Sequence, residues 1–76
     1  MDEQSVNIGI RKFLKRFGVT SQREIEKAIE AAITNGTLTG SEKLQVRATL
    51  TIPGVLAEHQ VDGEIALVGD APDVVT

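Results

Sequence analysis

The chain contains no cysteine, tryptophan or tyrosine, and its 76 residues include only two phenylalanines, two prolines and one histidine, His59. Without cysteine there is no disulfide, no thiolate nucleophile and no sulfur ligand for a metal. One imidazole cannot replace the three or four convergent ligands of a zinc site, so no cofactor or metal is expected. No apolar run approaches the roughly 18 residues needed to span a bilayer, so no membrane partner is expected. The first residues include Asp2 and Glu3 in place of a long apolar stretch, so no signal peptide is expected. The lack of cysteine fits a reducing cytoplasm better than a small secreted scaffold.

What remains for an interior is Leu, Ile, Val and Ala, within a hydrophobic content of 41%. A chain this short buries only roughly 60% of its unfolded surface. With neither disulfide nor metal to reinforce a marginal core, self-association is the remaining device.

The net charge of -3 is unevenly spread. Residues 1–27 hold six Lys and Arg against four acids, a balance of +2, whereas residues 28–76 hold two against seven, a balance of -5. Such a dipolar chain favours head-to-tail contacts.

The hydrophobic period changes near Asn35-Gly36. Val6, Ile10, Phe13, Leu14 and Phe17 share one helical face, and Gly18 reads as the stop, giving a first helix over 5–17. Val19-Thr20-Ser21 reads as a turn. Ser21 with Glu24 matches a capping box that starts a second helix at Gln22, with Ile25, Ala28, Ile29, Ala32 and Ile33 on its apolar stripe. Asn35-Gly36 stops this helix.

After Lys43 the spacing becomes that of a strand, with Leu44, Val46, Ala48, Leu50 and Ile52 on one face and Gln45, Arg47, Thr49 and Thr51 on the other. Pro53-Gly54 turns the chain back. Pairing Ile52 with Val55 sets Leu50 against Ala57, Ala48 against His59 and Val46 against Val61, with Arg47 diagonal to Glu58. A three-residue turn with Gly63 in the left-handed conformation then leads to a third strand over 64–68.

The expected fold class is therefore α+β, two N-terminal helices packed on one face of a three-stranded antiparallel meander, an ααβββ two-layer sandwich. Residues 1–68 form its single domain, and residues 69–76 are expected to be a flexible C-terminal tail. Strand 3 would be an unprotected edge.

No active site can be named. His59 has Glu58 beside it, but alternation puts the two on opposite faces, and a structural histidine is the simpler reading. The stretch Gly36 to Lys43 has the composition of a phosphate loop without its spacing. The charge cluster Arg11, Lys12, Lys15 and Arg16, with Arg23 at the start of the second helix, is the candidate interaction site. Its plain reading is a solvated helix surface. Its sharper reading is a nucleic-acid patch, supported because Phe17-Gly18-Val19-Thr20 before a capped helix looks like the turn of a helix-turn-helix.

The string IRKFLKRFGVTSQREIEKAI, followed by NGTLTGSE and DGEI, resembles a family of small uncharacterised bacterial proteins, a domain of unknown function. The resemblance runs to Leu67. It implies a bacterial cytoplasmic protein and supplies no catalytic or binding residue.

The expected function is a non-enzymatic protein-interaction module. It would form a homodimer, through the edge of strand 3 or by stacking of open sheet faces, or bind another protein. The alternative is nucleic-acid binding through the basic helix.

Overall fold

The computed structural model describes residues 1–69. Among them the chain forms one helix and two strands, α1 (Glu3–Thr34), β1 (Lys43–Ile52) and β2 (Leu56–Ala66). The class is α+β, but the two helices and three-stranded meander of the expected ααβββ sandwich do not form. The chain divides into one unit of Met1–Thr37 and a second that begins at Leu38.

In the first unit, the expected break at Gly18 and the expected restart at Gln22 both lie inside α1, which runs unbroken for 32 residues. The physical reason is phase. Val6, Ile10, Leu14, Phe17, Ser21, Ile25, Ala28 and Ala32 follow one another in steps of four, four and three. This is an 11-residue repeat of about 3.67 residues per turn, close to the natural period of a straight helix. The two apolar stripes read from the sequence are therefore one stripe, and it passes Gly18 without a shift.

Local polar groups agree with this. The Thr20 hydroxyl donates back to the Arg16 carbonyl at 2.8 Å, a bond that keeps it within the helix and out of a turn. Ser21, expected at a cap, is a half-buried position inside the helix. The actual N-cap is Asp2, whose carboxylate accepts from the Gln4 and Ser5 amides at 3.0 and 3.3 Å and from the Ser5 hydroxyl at 2.8 Å. At the other end the expected stop forms. The Asn35 amide donates to Ala31 at 2.9 Å, Gly36 adopts φ 85°, and the Asn35 side chain accepts from the Thr37 amide at 2.9 Å.

In the second unit, β1 and β2 pair antiparallel as a two-stranded hairpin. The expected Pro53-Gly54 turn forms: Val55 donates to the Ile52 carbonyl at 2.9 Å and Gly54 has φ 79°, as a type II turn with proline first and glycine second requires. Beyond it the register differs by two residues from the expected one. Leu50 faces His59, Ala48 faces Val61, Val46 faces Gly63 and Arg47 faces Asp62, with an irregularity between Leu50 and Ile52. A shift of two keeps every side chain on its expected face while changing its partner.

The expected turn at Asp62-Gly63 does not form, and residues 64–66 of the expected third strand are the end of β2. Continuing the strand lets Asp62 meet Arg47 and Glu64 meet Gln45 across the ladder, which a turn at Gly63 would forfeit. Gly63 does not take the positive φ that the bulged turn needs. Of the expected tail, residues 70–76 lie outside the described residues.

Candidate functional site

Among the described residues none is buried. The surfaces of each unit therefore carry whatever the protein does. On α1, Ile10 is 53% exposed, Phe13 and Leu14 are each 51% and Phe17 is 45%. The Phe13 and Phe17 rings lie nearly parallel, with centroids 6.4 Å apart. Further along, Ser21, Ile25, Ile29 and Ala32 are half-buried. Because α1 is continuous, these positions make one stripe about 33 Å long, at 1.5 Å per residue.

Arg11, Lys12, Lys15, Arg16 and Arg23 are all exposed on this same helix. Lys12, Arg16 and Arg23, spaced i, i+4 and i+11, fall on one line away from the apolar stripe, with Lys15 beside it and Arg11 at its flank. Among the described residues none of the five takes part in a salt bridge; the helix pair is Lys27 with Glu24 at 3.6 Å. The helix-turn-helix-like turn that supported a nucleic-acid reading is absent, because residues 17–20 are helical throughout.

The hairpin has two unlike faces. Leu44, Val46, Ala48 and Leu50 stand opposite Ile65, Gly63, Val61 and His59, a largely apolar surface. The reverse face is a polar ladder. Arg47 Nε donates to one Asp62 oxygen at 2.7 Å and its terminal nitrogen to the other at 3.3 Å, while Gln45 donates to Glu64 at 3.1 Å. This contact with Asp62 holds the Arg47 pKa above its ordinary value. The Arg47 partner is thus Asp62, four residues from the Glu58 expected. The hollow beside the pair, lined by Gln45, Val46, Arg47 and Asp62, is open to solvent.

Glu42 is a residue whose role its spacing did not announce. Its carboxylate accepts from the Thr39 amide at 2.8 Å and the Gly40 amide at 3.0 Å. The bond from Thr39 is the chief cause that brings its pKa down to about 2. A short side-chain cap of this kind could have been suspected from Gly40 followed two residues later by an acid. Its work is structural, fixing the turn that leads into β1. Among the described residues no three His, Asp or Glu side chains cluster to hold a metal, and no helix is long and apolar enough to cross a membrane.

Among the described residues, α1 and the hairpin each carry one mainly apolar and one mainly polar face. Comparison with known families gives a match over residues 1–68 to the Family of unknown function (DUF6494). The chain belongs to the DUF6494 family. The match covers α1 and the whole hairpin of this DUF6494 protein, so the family's unit includes both elements. Neither the curated proteins nor the solved structures provide a match.

Proposed function

We propose that this DUF6494 protein is a small non-enzymatic protein-interaction module of the bacterial cytoplasm that works as a homodimer. One observation carries the reading: no described residue is buried, although apolar side chains line a full face of α1 and of the hairpin. An isolated helix gains little from backbone bonds alone, and α1 also contains Gly9 and Gly18 and several β-branched residues of modest helix propensity. A lone two-stranded hairpin is marginal in water. Each element gains by covering its apolar face, and on this reading a second copy supplies part of that cover. Each half-exposed Leu, Ile or Phe that such contact covers contributes roughly 1 kcal/mol, at about 25 cal/mol per Å² of apolar area. The absence of cysteine supports the reducing compartment.

Sedimentation equilibrium tests this. A dimer is expected at micromolar concentration, and a monomer persisting at millimolar concentration would sink the proposal. Edge pairing by a third strand is no longer a route, since that strand is part of β2.

A further inference from the structure

We infer that Asn35 is a covalent modification site, at which the chain converts its own asparagine to aspartate or isoaspartate, and that the C-terminal cap of α1 controls the conversion.

The chemistry needs a side-chain carboxamide followed by an unshielded main-chain nitrogen. Asn35 supplies the first and Gly36 the second. The Gly36 nitrogen attacks Cγ of Asn35, and the new C–N bond closes a succinimide ring. The side-chain nitrogen leaves as ammonia and takes up the proton that Gly36 gives away. Water then adds to one of the ring carbonyls and opens it, to aspartate at one carbonyl and to isoaspartate at the other. No other co-reactant is needed. Glycine favours the first step because it has no Cβ to crowd the attacking nitrogen.

The fold decides when this happens. Closing the ring requires rotation about the Asn35 Cα–C bond, away from its ψ of 1°. In the capped state two hydrogen bonds oppose that rotation. The Gly36 amide donates to the Ile33 carbonyl at 3.2 Å, and the Thr37 amide donates to the Asn35 side-chain oxygen at 2.9 Å. Both belong to the end of α1, and helix ends open at little cost in free energy. Release of this last turn frees the Gly36 nitrogen while the rest of α1 stays helical.

Asp62-Gly63 is the other place among the described residues where a carboxylate or carboxamide side chain precedes glycine, and it is set differently. Asp62 lies within the ladder opposite Arg47, which donates to both carboxylate oxygens at 2.7 and 3.3 Å. Ring closure there has to break that contact and the strand pairing, and it has to expel oxygen in place of ammonia. Two steps that look alike in the sequence are thus held apart by the structure.

Conversion of Asn35 changes the end of α1. It adds a negative charge beside the negative end of the helix dipole. Isoaspartate also lengthens the main chain by a carbon, which moves the Gly36 and Thr37 amides off the oxygens they now reach.

The full chain, incubated in mildly alkaline buffer with and without concentrated urea, tests this. Tryptic cleavage after Lys27, Lys43 and Arg47 puts Asn35 and Asp62 on different peptides. Mass spectrometry reads the replacement of NH by O at Asn35, and electron-transfer fragmentation locates isoaspartate. In the native protein Asn35 is expected to convert at a rate within about tenfold of that in urea, because opening a helix end costs little. Asn35→Gln is expected to abolish the mass gain, and no isoaspartate is expected at Asp62 in the native protein. An unmodified Asn35, or conversion confined to urea, overturns the inference. Isoaspartate forming at Asp62 in the native protein as fast as at Asn35 overturns it likewise.

Discussion

Gly18 lies at the middle of α1, where an added Cβ meets nothing within 4 Å. In a helix interior alanine is favoured over glycine by about 1 kcal/mol. Gly18→Ala is therefore expected to raise helicity and the thermal midpoint, read by circular dichroism; a loss of stability would instead favour a turn at this position. Glu42 gives a prediction in pH. Its folded pKa, about 2, lies below the ordinary 4.5 because of the bond from the Thr39 amide, with help from the Gly40 amide. The unfolded state takes up the proton first as pH falls. The stabilisation it brings is thus whole above pH 4.5 and is lost progressively between 4.5 and 2. Glu42→Gln is expected to remove that part of the acid sensitivity and to lower stability at neutral pH, measured by denaturant titration at several pH values. An unchanged acid limb would show that the cap contributes nothing.

At the scale of elements, what was legible in the chain was periodicity, and what misled was punctuation. The alternation from Leu44 to Ile52 names β1 and its apolar face, and Asn35-Gly36 and Pro53-Gly54 stop and turn the chain where they stand. Gly18 and Gly63 carry the same local signal and yet lie inside a helix and a strand. The difference is in what lies on either side. The apolar phase runs through Gly18 from Phe17 to Ile25 without a shift, and the Asp62 and Glu64 side chains find partners only if β2 continues past Gly63. Phase summed over several turns outweighs a single glycine, and cross-strand partners are invisible until the register is known. The candidate cations of α1 were legible as exposed charges, but their alignment on one helix was not, because the break assumed at Gly18 separated Arg23 from the rest. One substitution tests the strand directly. Gly63→Val adds a β-favouring side chain opposite Val46, where an added Cβ meets nothing within 4 Å. It is expected to hold or raise hairpin stability by up to about 1 kcal/mol, followed by amide hydrogen exchange of β2. In a turn with left-handed Gly63 the same change would be strongly destabilising.

For the molecule as a whole, the proposed homodimer is tested by charging the apolar stripe of α1. Leu14→Glu combined with Phe17→Glu places two carboxylates on the stripe of α1 and is expected to shift the dimer to monomer by well over tenfold in dissociation constant, each buried charge costing more than the 1.4 kcal/mol that a factor of ten represents. Sedimentation velocity checks it, and a dimer of unchanged affinity would move the contact off the helix. The exposed apolar stripe of α1 has a calorimetric consequence if the proposed dimer covers it. Heat-capacity change on unfolding follows the apolar area newly exposed to water, so in the proposed dimer it grows with the apolar area that pairing covers. A dilute sample should therefore melt over a broad range with a shallow baseline step. A concentrated one should show a sharp transition whose midpoint climbs with protein concentration, as mass action requires. Cooperativity would then belong to the pair and not to the single chain.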